Sequence, residues 1–162
     1  MVPVLLLLLF ANGEPAKACT APEYRQFDFW LGSWEVHNPK GDLVGHNDVV
    51  AVQDGCLVTE SWKSGRGHES GQSINYFDSR DKRWHQLYFD NSGNMGNYPP
   101  IAGVFENGRM VLLSAPDQKP LTRWTWYVLE PGKVRQWAEA SKDGGKTWAT
   151  TWDSVYVKTK GP

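Results

Sequence analysis

From Ser33 onward, hydrophobic and polar residues alternate with a period of two, the spacing of strands with one buried face. The pattern predicts ten strands, at 33–38, 44–53, 57–63, 71–78, 82–90, 100–106, 109–115, 121–130, 133–141 and 147–158. The gaps between them carry turn chemistry: Asn38-Pro39-Lys40-Gly41-Asp42, Asp54-Gly55, Asp78-Ser79-Arg80-Asp81, Asn107-Gly108 and Pro131-Gly132. Asp54-Gly55 and Asn107-Gly108 suit tight hairpins, because both central residues tolerate positive φ. Eight to ten short strands joined this way predict an all-β fold, a single antiparallel up-and-down meander. Closing the meander into a barrel removes its edges; a β-sandwich is the alternative.

Before the strands, 22–31 reads as a short helix, with Pro22 at its start and Gly32 as its stop. Phe27, Phe29 and Trp30 make it too apolar for a free tail, and a plug across one end of a barrel would bury them. The first ten residues, M-V-P-V-L-L-L-L-L-F, form an apolar block far shorter than the about 20 residues of a membrane span. Their length is that of a signal-peptide core, and Ala16-Lys17-Ala18 supplies an A-x-A site before Cys19. No Lys or Arg precedes the block. The expected division is a signal peptide over 1–18 and one barrel domain over 19–162, in an exported protein, periplasmic or secreted.

An exported location changes the reading of the two cysteines. In an oxidising compartment Cys19 and Cys56 pair as a disulfide; a lipid anchor on Cys19 is the exclusive alternative. With 17 basic against 18 acidic residues and a net charge of -1, the chain has no basic block to hold nucleic acid, and no membrane insertion is expected after signal removal. The unusual count is nine Trp, large aromatics that either fill a small β-core, line a pocket or stack on sugars.

The run Phe27-Asp28-Phe29-Trp30-Leu31-Gly32-Ser33-Trp34-Glu35-Val36 contains Gly32-x-Trp34, which resembles the G-x-W signature opening the first strand of lipocalins and other calycins. Gly55-Cys56 followed by Glu60-Ser61-Trp62, then Trp84-x-Gln86 leading to Asp90, and S-K-D-G-G-K-T-W at 141–148 extend the likeness. Together they resemble an exported bacterial family of unknown function with a lipocalin-like barrel. The resemblance implies a fold and no assigned reaction. It also implies a basic residue packed over Trp34; lipocalins use an Arg from a late strand, and here the last strand offers Lys158, with Arg135 as a substitute on the strand before.

Other motifs read as structure. Ser141-x-Asp143-x-Gly145-x-Thr147-Trp148 matches an Asp-box, a hairpin device that a sialidase would repeat on several blades. His37, His46, His68 and His85 lack metal-ligand spacing, so no metal and no cofactor are expected. There is no G-x-S-x-G, and Ser79-x-x-Lys82 falls on a turn. The 91–100 stretch, rich in Gly and Asn, reads either as a loop over a barrel mouth or as an irregular crossing.

The informative pattern is polar residues interleaved with aromatics on single strand faces: Val58, Glu60 and Trp62; Ser73, Asn75 and Phe77; Trp84, Gln86, Tyr88 and Asp90; Arg135, Trp137 and Glu139. Turned inward, Trp34, Glu60, Trp62, Asn75, Trp84, Gln86, Tyr88, Arg135, Trp137 and Glu139 form a candidate ligand-binding set. Glu60 would then pair with Arg135 or bind a ligand donor, since an unpaired buried charge is costly. The expected function is binding of a small, partly apolar ligand inside the barrel. The alternatives are a small isomerase or hydrolase using Glu60 as general base, and a carbohydrate-binding module with exposed Trp.

Overall fold

The computed structural model describes residues 18–93 and 95–159, so most of the 1–18 leader lies outside the described residues. Ten strands follow in order: β1 Gly32–His37, β2 Leu43–Val52, β3 Leu57–Ser64, β4 Ser70–Asp78, β5 Arg83–Asp90, β6 Ile101–Glu106, β7 Arg109–Leu113, β8 Leu121–Glu130, β9 Lys133–Ser141 and β10 Ala149–Lys158. Each pairs antiparallel with its sequence neighbours, and β10 closes on β1. The result is a closed up-and-down barrel rather than a sandwich, and each strand lies within two residues of its predicted bounds.

Turn chemistry explains the joints. Asn107 and Gly108 take φ of 50° and 75° and link the paired residues Glu106 and Arg109, a two-residue hairpin of the type that matches strand twist. Asp54-Gly55 does not make such a hairpin. The β2 and β3 strands part at Val52 and Leu57, leaving a four-residue connection with a 3-10 turn at Gln53–Gly55. Its last residue, Cys56, stands outside the ladder and forms the disulfide with Cys19. That bond takes the thiol that a lipid anchor on Cys19 requires.

The segment before β1 is not one helix but two 3-10 turns, Pro22–Arg25 and Asp28–Trp30. The break falls at Phe27, whose ring is fully buried in the end of the barrel. It stacks on Trp30 at 5.1 Å and meets Trp84 and Trp126 edge-on at 5.4 and 5.3 Å. A continuous α-helix would space Phe27, Phe29 and Trp30 around its axis; the break lets all three pack toward the barrel. The floor indoles also hold the plug through hydrogen bonds. Trp34 Nε1 donates to Trp30 O (2.9 Å), and Trp84 Nε1 donates to Gln26 Oε1 (3.1 Å).

The G-x-W motif has a direct use here. Gly32 sits at φ +134°, and a Cβ on it would meet Lys158 Cε at 2.5 Å. Lys158 lies with Nζ 5.6 Å from the Trp34 ring centroid and donates to Leu31 O (2.9 Å). Lys158 therefore takes the place of the late-strand arginine, and Arg135 does not. This half of the barrel is solid, filled by Phe27, Trp30, Trp34, Trp84, Met110, Leu112 and Trp126. Among the described residues, no helix is long and apolar enough to cross a membrane.

Candidate functional site

Away from the plug the inner faces turn polar and the packing opens. On β3 the alternation that buries Val58 also turns Glu60 and Trp62 inward; β4 contributes Ser73 and Asn75, β5 Gln86 and Tyr88. Opposite them stand Trp124 of β8, Gln136 of β9, and Trp152 and Tyr156 of β10. Between these walls lies a cavity of about 230 Å³.

Missing side chains on neighbouring strands give the large rings their places. A Cβ on Gly45 would come 2.3 Å from Trp62 Cη2, and one on Gly71 would come 1.9 Å from the Tyr88 hydroxyl oxygen. The fourth wall is the 91–100 loop. The β5–β6 ladder runs only from Trp84 to Gln86, where the strands part. Past that point Gly96 N–H donates to Tyr88 O (3.0 Å), and Asn97 Oδ1 accepts from Tyr88 N–H (2.5 Å). The loop thus satisfies an edge the ladder leaves free, and brings Gly96 and Asn97 to the cavity.

Glu60 is 5% exposed. Its Oε1 accepts from Asn47 Nδ2 (2.9 Å) and its Oε2 from Ser73 Oγ (2.7 Å). Behind Ser73 the donors all run one way: Asn75 Nδ2 donates to Ser73 Oγ (3.0 Å), and Gln86 Nε2 donates to Asn75 Oδ1 (2.9 Å). The row presents its positive ends to Glu60. Burial nevertheless raises the Glu60 pKa, against the two hydrogen bonds, because dipoles do not replace lost hydration of a full charge. Tyr88 is pushed up to about 12 by burial and by the nearby Glu60 and Asp90 charges, and Tyr156 well above its ordinary value for like reasons. Tyr156 donates its proton to Gln136 Oε1 (2.7 Å).

The candidate set divides in three. Glu60, Trp62, Gln86 and Tyr88 line the cavity, with Asn75 buried behind Gln86. Trp34 and Trp84 face inward but belong to the solid floor. Arg135, Trp137 and Glu139 stand on the outer face and do not join the site. Outside, Arg135 binds both oxygens of Asp153 (2.8 Å each), Glu139 accepts from Arg123 (2.7 Å), and Trp137 Nε1 donates to Thr150 Oγ1 (3.1 Å). Volume explains the choice of face. Ala138 pairs with both Trp124 and Trp152, and only a small side chain fits between two inward indoles. The expected Glu60–Arg135 pair therefore does not form.

Trp124, Gln136, Trp152 and Tyr156 were not among the predicted residues. Gln136 carried a signal, as the lone polar residue between Val134 and Ala138 on an otherwise aliphatic face. Trp152, Ser154 and Tyr156 carried another in their alternation. With most indoles facing inward, only Trp137 and Trp148 of the nine stand on the outside, so the exposed row of a carbohydrate module is missing.

Two outer motifs satisfy themselves. In the Asp-box, Asp143 accepts from Thr147 N–H (2.9 Å), Thr147 Oγ1 (2.6 Å) and Ser141 Oγ (2.8 Å), which holds its pKa down to about 2. Asp78, Asp81 and His85 each bring one ligand atom to a common spot on the β4–β5 turn. There Asp78 is held by Arg80, and His85 contacts Asp81 at 2.9 Å.

No protein-family model and no curated protein sequence matches the chain. Among solved structures, the S-type phycobiliprotein lyase CPES from Guillardia theta is similar, with a TM-score of 0.51 over 84% of this chain and 92% of that one, at 15% identity. At that identity the likeness concerns the fold alone. It agrees with the closed strand order in making this chain an all-β barrel of lipocalin-like type.

Proposed function

We propose that the protein is an exported binding protein that holds a small, partly apolar molecule in the open half of its barrel. The observation that carries this reading is the cavity of about 230 Å³, walled by Trp62, Tyr88, Trp124, Trp152 and Tyr156 and containing one buried carboxyl. Apolar walls with a few placed polar groups are the usual build of a small-molecule site. At organic packing density the space suits about 10 to 15 non-hydrogen atoms. The similar solved structure is named a phycobiliprotein lyase, which supports use of such a barrel around a small molecule; its chemistry is not carried over. Export is supported by the Cys19–Cys56 disulfide, which persists in oxidising compartments, and by the apolar leader.

Binding fits the site better than catalysis. A general base at Glu60 needs an acid or an electrophilic partner across the substrate. Of the two phenols present, Tyr156 spends its hydroxyl on Gln136 Oε1 and Tyr88, pushed up to about 12, gives up a proton too reluctantly; Arg135 faces outward. The test is a fluorescence screen of small molecules, read on the indoles of the cavity, with native mass spectrometry of the protein from its own source. Saturable quenching with one bound molecule supports the reading. A Gly96→Leu variant should abolish it by filling the site. Failure of every compound, with unchanged indole emission, overturns it.

A further inference from the structure

We propose that the ligand is a small organic cation, an amine or quaternary ammonium compound, with Glu60 as its counter-ion and the surrounding indoles and phenols as its cage. This rests on the binding reading above and names the chemical class.

The first support is a missing partner. Glu60 is buried and receives only neutral donors, Asn47 and Ser73. No Lys, Arg or His among the described residues makes an ion pair with it, and no cation acts on its ionisation. Among the described residues, the basic side chain of β10 that alternation turns toward Trp34, Lys158, is engaged by Leu31 O and Trp34 at the closed end. A buried carboxylate without a countercharge is costly, and proteins keep such groups where something else supplies the charge.

The second support is the direction of the hydrogen bonds. Because Asn75 donates to Ser73, the Ser73 proton is free to point only at Glu60. Gln86 in turn holds the Asn75 amide in that sense. As oriented, the row offers Glu60 two donors and no acceptor; a protonated carboxyl would have to turn Asn47 to reach its unpartnered Oδ1. The network is built for an anion at Glu60.

The third support is the wall chemistry. Trp62 and Trp152 meet at right angles with centroids 5.7 Å apart, forming a corner, and Trp124, Tyr88 and Tyr156 complete the enclosure. Aromatic faces carry negative quadrupole density and attract cations, Trp most strongly; quaternary ammonium sites use such cages. An anionic ligand would meet Glu60 and the same ring faces and be repelled. A neutral ligand would leave the carboxylate without a countercharge.

The experiment compares isosteres on the full mature protein. Choline is set against 3,3-dimethyl-1-butanol, and phenethylamine against 2-phenylethanol, with 3-phenylpropanoate as the anion, each by calorimetry and indole fluorescence. The cations should bind at least tenfold more tightly than their neutral isosteres, and the anion should not bind. Glu60→Gln should remove that preference, bringing each cation level with its neutral isostere. Neutral compounds binding as well as cations, or an unchanged preference in Glu60→Gln, would overturn the cation assignment and leave the binding reading standing. No binding by these or by any compound of the wider screen overturns both. Should Glu60→Gln fail to fold, the isostere ratio in the unmodified protein decides alone.

Discussion

Tyr88 packs closely against two glycines: a methyl group on Gly71 would sit 1.9 Å from its hydroxyl oxygen, and one on Gly96 would sit 2.8 Å from its ring carbon Cδ1. The ring has no slack against either glycine. Gly71→Ala should therefore drive Tyr88 into the cavity or push the 95–97 segment off β5. Overpacking of this kind costs about 1–3 kcal/mol. The expected result is a lowered midpoint of thermal unfolding together with at least tenfold weaker ligand binding. Gly93→Ala is the control, because a Cβ there meets nothing within 4 Å, although its φ of +86° adds backbone strain. That variant should lose some stability and keep full affinity.

The closed end depends on a link outside the barrel. Cys19 is bonded to Cys56, and the Arg25 guanidinium donates to Gly55 O, so the plug is tied at two places to the β2–β3 connection. Replacing both cysteines by Ser releases a loop spanning 37 positions. In the chain-entropy model this costs about 3–4 kcal/mol. We expect a fall of about 10 °C in the unfolding midpoint, with reduction of the unmodified protein giving the same fall. An unchanged midpoint in both measurements would mean that the ring interlock of Phe27 holds the plug unaided.

Lys158 over Trp34 gives a sharper test of the floor. Lys158→Met keeps the apolar stem over the indole and removes the bond to Leu31 O. The loss should be about 1 kcal/mol at most, because water can reach the Leu31 carbonyl once the ammonium is gone. Gly32→Ala should cost more, since it combines φ +134° with a 2.5 Å approach to Lys158 Cε. The double variant should cost less than the two added together, because the Met chain, no longer anchored to Leu31 O, can swing its ε-carbon away from the new methyl group. Denaturant melts of the four proteins measure the coupling directly.

These residues also indicate how much was legible beforehand. Strand positions followed from alternation and turns, because the barrel's two faces differ in solvent and the difference is written with period two. That Val58, Glu60 and Trp62 share one face followed for the same reason; that this face turns inward is what the structure adds. Strand β9 misled because both its faces look buriable: Arg135, Trp137 and Glu139 hide their polar atoms in pairs with Asp153, Thr150 and Arg123. Which face turns inward was decided by volume, with Ala138 between Trp124 and Trp152, and those three residues come from three strands. Such complementarity is a property of register, and alternation within one strand does not contain it. The 3-10 break at Phe27 is similar, since what sets it is a ring cluster drawn from β5 and β8.

The last prediction concerns pH. Burial raises the folded-state pKa of Glu60 above its ordinary value of 4.5. Between those two values the folded protein binds a proton that the unfolded chain has released, so stability falls as pH rises. The share contributed by protonated Glu60 is complete below about pH 4.5 and is lost as pH rises through the raised pKa. Asp78 and Asp143, both held down to about 2, act in the opposite sense: their share is present above an ordinary aspartate pKa and is lost as pH falls toward 2. Subtracting the curve of Glu60→Gln from that of the unmodified protein cancels the two aspartates. The orphaned Asn47 Oδ1 gives the new amide an acceptor once Asn47 rotates. Above the Glu60 pKa the Gln variant should be the more stable by about 1–3 kcal/mol, the residual penalty of an unpaired buried carboxylate. At pH 4 the difference should shrink to near zero. A saturating cation should reverse the order at neutral pH, stabilising only the protein that retains the carboxylate. Equal pH profiles for the two proteins would show that Glu60 titrates as an ordinary carboxyl, and the countercharge would have no work to do.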